Sequence, residues 1–192
     1  MRITMILDFV CPYCFVGEKI LEKALKEKNL KPEFKFLPYE LSPEPTPQPI
    51  VNEANKEYFD KNILLWATQE DILVKFPTIS PKPRTALAFQ GIYVAEKYDK
   101  GIEYVRAVLD AYWLRNKNIG NVEVLIEIAD NLLIPKFEFA DALLSGQFSA
   151  AHRKLNNEVS NFDFDVVPTF YIDDKQLKEF PRTKEKWLEI LN

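Results

Sequence analysis

The sequence predicts an α/β fold in which a βαβ unit and a ββα unit enclose a large all-helical insertion. Three observations predict it. Residues 2–7 form an apolar run of strand length, and a helical pattern and an alternating strand pattern at 33–37 follow it. Residues 166–172 are rich in β-branched and aromatic side chains, which favour strands. Between these two ends, apolar residues recur with the period of an α-helix.

The first forty residues indicate a strand, a helix and a second strand. From Val16 to Lys28 the apolar side chains share one helical face, with Glu and Lys opposite. At 33–37, Phe34 and Phe36 alternate with polar residues, as they would in a strand. Two consecutive strands joined through a helix are expected to be parallel, with a right-handed crossover.

The middle of the sequence predicts helices only. Five prolines between 38 and 49 indicate an extended linker, because proline fixes φ and lacks an N–H donor. A helix is predicted from about Asn52 to Val74, ended by a proline cluster at 77–83. Four further apolar stripes follow from residue 84 onward, so the predicted helical insertion spans residues 51–159.

The end of the chain returns to strand character. A hairpin turn is predicted at Asp173 to Lys175, and a return strand at residues 176–180. Thr183 is the predicted N-cap of a last helix that runs through Leu191. We therefore expect residues 1–50 and 160–192 to build the sheet domain.

Composition excludes several classes of protein. A chain of 192 residues fits one domain, or one domain with a large insertion. A formal net charge of −4 argues against a nucleic-acid or anionic-membrane surface. No uncharged apolar stretch approaches the ~20 residues that span a bilayer, so the expectation is a cytoplasmic protein without membrane contact.

The two cysteines, in the motif Cys11-Pro12-Tyr13-Cys14, are the strongest chemical signal. They follow a predicted strand and open a predicted helix, where free backbone N–H groups and the helix dipole favour a thiolate at Cys11. Cys14, one turn later, is suited to resolve a disulfide formed at Cys11. Two inert buried cysteines, or half of a zinc site, are the alternatives. Zinc needs about four ligands, and the sequence offers neither a second cysteine pair nor a histidine cluster, so no metal is expected.

Two other residues qualify this interpretation. His152 is the only histidine, and we interpret it as a surface or core residue rather than a ligand or base. Pro168 stands inside a strand pattern although it cannot donate to a strand ladder. Either a cis Val167–Pro168 peptide precedes the strand, or a trans proline lies at a sheet edge.

Four segments carry a resemblance to a known family: DFVCPYCFVGE at 8–18, PYELSP at 38–43, RTALAF at 84–89 and VPTF at 167–170. With the strand and helix order, they resemble the thioredoxin superfamily. More closely, the chain is similar to the FrnE-like branch of the DsbA family of dithiol–disulfide oxidoreductases. The resemblance implies a thioredoxin-like fold whose large helical insertion separates the two halves.

The resemblance also implies roles for the motif residues. Cys11 would attack, Cys14 would resolve the mixed disulfide, and a cis-proline loop at Val167-Pro168 would hold extended substrate through its backbone. Pro12 and Tyr13 are expected to contact substrate beside them.

Three further expectations come with the resemblance. Asp8 recurs before the motif in this branch, either as a helix-entry acid or as a proton carrier for Cys14.

This chain departs from the branch at two places. The branch commonly has Pro-Trp between its cysteines, and it has a glycine-containing stretch where this chain has residues 180–183. Tyr39 and Phe89 join Tyr13 as candidates for the wall of a groove beside Cys11.

The expected function is a cytoplasmic thiol–disulfide oxidoreductase that exchanges disulfides with protein or small-molecule thiols and uses neither a metal nor an organic cofactor. One alternative is a glutathione-dependent isomerase or transferase of the same fold, similar to the hydroxychromene-carboxylate isomerases. Those proteins keep a single Ser, or another lone residue, where Cys11 stands, so the intact pair argues against this alternative. Another is a non-catalytic thioredoxin-fold binding module.

Overall fold

The computed structural model describes residues 1–191 and contains one mixed four-stranded sheet. The strand order is β2-β1-β3-β4; β1 and β2 are parallel, whereas β3 is antiparallel to both β1 and β4. Strands from both ends of the chain therefore share one sheet, and the predicted α/β class is confirmed. The strands are β1 (Arg2–Leu7), β2 (Glu33–Pro38), β3 (Thr169–Ile172) and β4 (Lys175–Gln176).

The helices cover both faces of this sheet. Helices α1 and α9 pack together on one face, and α8 packs on β2 at the other. Between α2 and α3 runs a π-helical turn, Asp60–Leu64. The helices are α1 (Pro12–Glu27), α2 (Glu53–Phe59), α3 (Leu65–Gln69), α4 (Ala86–Glu96), α5 (Gly101–Trp113), α6 (Val122–Asn131), α7 (Lys136–Leu144), α8 (Ser149–Ser160) and α9 (Lys184–Ile190).

Strand β1 is buried on both faces because each face meets a different hydrophobic cluster. Ile3, Met5 and Leu7 join the main core with α1 and the helical insertion. Ile6 points the other way, into a smaller cluster with Leu37. This alternation follows from the two-residue period of a strand. The division into residues 1–50 with 160–192 and residues 51–159 stays a prediction.

The prediction of one helix from Asn52 to Val74 is wrong at its C-terminal end. Helix α3 ends at Gln69, and Asp71 has a positive φ of 52°. The N–H of Ile72 donates to the carbonyl of Ala67 (2.8 Å), and the N–H of Asp71 donates to that of Thr68 (3.2 Å). These two bonds form a Schellman motif, which satisfies the last carbonyls of the helix and stops it before the proline cluster.

The predicted return strand at 176–180 is also wrong. Strand β4 contains only Lys175 and Gln176, after a two-residue loop in which Asp173 and Asp174 both have positive φ. The ring of Phe180 instead packs on aromatic rings of β3 and α3, so the chain leaves the sheet toward the helical insertion.

The last helix begins as predicted. The Thr183 hydroxyl accepts a hydrogen bond from the N–H of Lys186 (3.1 Å) and caps α9, which ends at Ile190. Trp187 on this helix is fully buried. No helix within residues 1–191 is both long enough and apolar enough to cross a membrane.

Candidate active site

The Cys-Pro-Tyr-Cys motif lies where β1 passes into α1. Strand β1 ends at Leu7, and the N–H of Cys11 donates to the carbonyl of Asp8 (3.1 Å), which closes a turn. Cys11 is the N-cap of α1, and Pro12 occupies the first helical position, where a missing N–H costs no hydrogen bond. The strand, the turn and the helix thus fix the direction of both cysteine side chains.

The two thiols differ in burial. Both cysteines are free; Cys11 keeps 5% of its surface exposed, whereas Cys14 keeps none. Burial raises the pKa of the Cys14 thiol well above its usual value, and a hydrogen bond with Cys11 raises it further. Cys14 is therefore held as a neutral thiol next to the more accessible Cys11.

The loop before β3 lies directly opposite Cys11. The Cys11 thiol donates to the carbonyl of Val167 (S···O 3.6 Å), across 156 residues of sequence. The Val167–Pro168 peptide is cis, so the trans-edge alternative is wrong. Because Ile6 pairs with Thr169, the antiparallel register places this loop beside the end of β1. The thiol faces this carbonyl, and Cys11 makes no side-chain hydrogen bond to the first turn of α1.

Tyr13 connects the motif to the helical insertion. Its hydroxyl is hydrogen-bonded to that of Tyr58 on α2 (2.7 Å), and its ring packs against Trp66 on α3 (centroids 5.8 Å apart). The guanidinium of Arg182 lies over the same ring at 5.6 Å. Burial raises the pKa of Tyr13 to about 12, and the Tyr58 hydrogen bond adds to the rise.

Of the three residues expected to wall a groove, the structure places Tyr13 within the motif itself. Tyr39 packs edge-on against Phe164, in the smaller hydrophobic cluster. Phe89 is buried against Phe9 and His152. The ring contacts of Tyr39 and Phe89 are thus with Phe164, Phe9 and His152, and the groove beside Cys11 stays a prediction.

Asp8 is a buried acid beneath the cysteine pair, with 1% of its surface exposed. Its backbone hydrogen-bonds the Cys14 sulfur, and its charge raises the Cys14 pKa. Burial raises the pKa of Asp8 itself from 3.8 to about 6, although hydrogen bonds from Leu41 and Thr85 oppose the rise. One of these bonds, from the N–H of Leu41 to Oδ2, measures 2.8 Å. Asp8 also lines a cavity of about 50 Å³.

His152 is a core residue, which was one of the two expected placements. It is 1% exposed, and its Nε2 lies 2.7 Å from Oε1 of Glu40. Glu40 in turn contributes to the raised pKa of Asp8 through its charge. Within residues 1–191, no three His, Cys, Asp or Glu side chains come together as a metal site would require.

Tyr58, Trp66 and Arg182 are parts of the site that the sequence analysis missed. Each lies more than forty residues from the cysteines in sequence and contacts Tyr13 of the motif only because the chain folds. The one signal near Arg182 in the sequence is that residues 180–183 replace the glycine-containing stretch of the branch that the chain resembles.

A comparison with known families decides where the chain belongs. The family model described as a DsbA-like thioredoxin domain matches residues 2–184. The chain belongs to this family. The DsbA resemblance and the thioredoxin-like fold class are thereby confirmed.

Individual relatives agree with this membership. The uncharacterised protein YwbO of Bacillus subtilis is 36% identical over 170 residues, covering 87% of this chain and 84% of its own. A probable DsbA oxidoreductase from Streptomyces coelicolor superposes with a TM-score of 0.80 at 18% identity, covering 100% of this chain and 88% of that one. The cytosolic disulfide reductase DsbM from Pseudomonas aeruginosa, solved with GSH, gives 0.72 at 16% identity, covering 100% and 97%. At these identities the two structures support the shared fold.

The raised pKa of Asp8 predicts how stability depends on pH. The folded state binds the Asp8 proton more tightly than the unfolded state does. The resulting stabilisation is fully present below pH 3.8, and it is lost as pH rises through about 6. Asp8→Asn removes this titration. We expect the free energy of unfolding of Asp8→Asn, relative to wild type, to rise between pH 4 and pH 7.5 by about 2 kcal/mol.

Urea denaturation of the reduced protein at both pH values, with a phosphine reductant, measures this change. Asp130→Asn, at an exposed position near the end of α6, is the matched control and should show no such pH-dependent difference. An Asp8→Asn effect that is the same at pH 4 and pH 7.5 would contradict the prediction.

Proposed function

We propose that the protein is a dithiol–disulfide oxidoreductase in which Cys11 and Cys14 carry out the exchange. The observation that supports this most is the pairing of a Cys11 thiol that keeps 5% of its surface exposed, 3.6 Å from the Val167 carbonyl, with a fully buried Cys14. An exchange centre needs one sulfur that meets substrate and a second that meets only the first. Membership of the DsbA-like family supports the same assignment.

The proposed exchange proceeds in two balanced steps. The Cys11 thiolate attacks one sulfur of a substrate disulfide, so a Cys11–substrate bond forms and the other substrate sulfur leaves as a thiolate. The Cys14 thiolate then attacks Cys11, which forms the Cys11–Cys14 disulfide and releases the second substrate thiolate. The substrate gains two electrons and the pair loses two; the reverse sequence oxidises a substrate dithiol.

Substrate would lie along the cis-proline loop. The Val167 carbonyl already faces the Cys11 sulfur, so a segment that binds along Val167 and Pro168 would present its sulfur to Cys11. Pro12 and Tyr13 flank the same sulfur from the first turn of α1. We propose protein or small-molecule thiols and disulfides as substrates, with neither nucleic acid nor membrane as a partner. The proposed location is the cytoplasm, in keeping with the cytosolic disulfide reductase DsbM, which shares the fold.

Asp8 is the proposed proton carrier for Cys14. The second step requires a Cys14 thiolate, yet burial strongly favours the neutral thiol. Asp8 adjoins this sulfur, and with a pKa of about 6 it is mostly ionised at neutral pH. A base whose pKa lies near the working pH transfers protons efficiently, so Asp8 would accept the Cys14 proton as the mixed disulfide resolves.

Serine variants of the two cysteines test the proposed exchange. Cys11→Ser should lower insulin reduction to the uncatalysed rate, because no attacking sulfur remains. Cys14→Ser should accumulate a mixed disulfide with substrate, because attack persists and resolution is lost. Intact-mass spectrometry after incubation with oxidised glutathione measures the adduct, and circular dichroism checks that both variants fold.

The alternative functions give different outcomes in this experiment. A glutathione-dependent isomerase or transferase would not need Cys14, and a binding module would need neither cysteine. Insulin reduction by Cys11→Ser at the wild-type rate would refute the proposal. So would an adduct that forms on Cys11→Ser rather than on Cys14→Ser.

Asp8→Asn should slow only the second step. Without the base, resolution of the mixed disulfide at pH 7.5 should fall by about 10²-fold. The attack by Cys11, measured in a Cys14→Ser background with and without Asp8→Asn, should change little. Rapid-quench single-turnover measurements separate the two steps. In wild type, the resolution rate should rise as pH increases through about 6, the Asp8 pKa, and Asp8→Asn should lack this rise. Equal slowing of both steps would indicate a structural role for Asp8 instead.

A further inference from the structure

Arg182 lies on a surface formed by the rings of Tyr13 and Trp66, which we call the aromatic shelf. Its guanidinium carbon is 5.6 Å from the Tyr13 centroid and 5.7 Å from the Trp66 centroid. The indole N–H of Trp66 also donates to the backbone carbonyl of Arg182 (2.7 Å). The main chain and the side chain of Arg182 are thus both fixed against the shelf.

Arg182 forms no ion pair with any carboxylate in the part of the chain that the structure describes. Other arginines do form ion pairs: Arg106 binds Glu18 and Glu22, and Arg2 binds Asp174. The nearest cation in sequence, Lys184, is itself bound to Glu27. Arg182 is exposed, in a chain whose formal net charge is −4. Its charge is therefore left available to a ligand.

The shelf adjoins the reactive sulfur. Tyr13 is two residues from Cys11. The charges of Cys11 and Arg182 both act on the pKa of the Tyr13 hydroxyl. A ring that packs against one face of a guanidinium leaves the N–H groups at its edge free to bind a carboxylate with two parallel hydrogen bonds. An extended peptide advances ~3.3–3.6 Å per residue, so a carboxylate one or two residues from a cysteine bound at Cys11 lies about 3–7 Å along the chain from that cysteine, on the scale of the two-residue separation between Cys11 and Tyr13.

We propose that Arg182 on the aromatic shelf is an anion-binding subsite for a carboxylate of the substrate, close to its reacting sulfur. The subsite rests on the proposed exchange at Cys11 and adds a substrate class to it: thiols and disulfides that carry a nearby carboxylate. Two sources offer this chemistry. One is a small carboxylated thiol such as glutathione, and the other is a protein cysteine with an acidic neighbour.

The first arm of the test compares two thiols as reductants of the oxidised protein. Glutathione carries carboxylates, whereas glutathione diethyl ester has the same skeleton with both of them blocked. Arg182→Ala should slow reduction by glutathione by about fivefold and change reduction by the ester by less than twofold. Arg182→Lys keeps the charge and should retain part of the preference. Arg153→Ala, at an exposed position on α8, is the matched control and should alter neither rate.

The second arm uses short peptides that contain one cysteine followed by Glu or by Gln. Wild type should react faster with the Glu peptide, and Arg182→Ala should lose this difference. A charge effect in the glutathione arm alone identifies small thiols as the source, and an effect in the peptide arm alone identifies acidic protein segments. Both outcomes support the subsite.

One result would overturn the subsite: the same ratio of charged to neutral rates in wild type and Arg182→Ala in both arms. If both rates fall equally while this ratio holds, Arg182 only supports the shelf. Failure of the proposed function looks different: no thiol would then reduce a Cys11–Cys14 bond in any variant.

Discussion

The central position of strand β1 determines where each group of the candidate site lies. Its parallel pairing with β2 brings the segment after Pro38 beside the end of β1, so that the N–H of Leu41 reaches the Asp8 carboxylate. Its antiparallel pairing with β3 brings the cis-proline loop beside Cys11. A one-residue slip in either register would turn the inward side chains outward, because the side-chain period of a strand is two. The site therefore depends on three segments that are far apart in sequence and share this strand.

Burial at the end of β1 then sets the chemistry. Asp8 and Cys14 are almost completely removed from water, and desolvation raises the pKa of both. The helical insertion contributes to this enclosure, since the Trp113 indole on α5 donates to the carbonyl of Phe9 (2.9 Å). The same insertion supplies Trp66 of the aromatic shelf. Its helices thus contact both the turn that precedes the cysteine pair and the Tyr13 ring within the motif.

The sequence predicted the parts of the fold that local patterns specify. The three longer strands, α1 and the Thr183 cap each depend on a periodicity or a capping residue within a few positions. The end of α3 was missed because Asp71, rather than glycine, adopts the positive φ that stops the helix. The cysteines and the Val167-Pro168 loop were identified from motifs. Arg182 was not, because its contacts with Tyr13 and Trp66 join residues that no local pattern relates.

A redox titration tests the Cys11–Cys14 pair most directly. The protein is equilibrated in two series of redox buffers, one of oxidised and reduced dithiothreitol and a more oxidising one of oxidised and reduced glutathione, acid-quenched, and its free thiols are labelled and counted by intact mass. A reversible exchange centre predicts one two-electron transition in which both thiols disappear together within a monomeric chain. Thiols that remain free across the whole range would contradict it, as would a disulfide that forms only between two molecules.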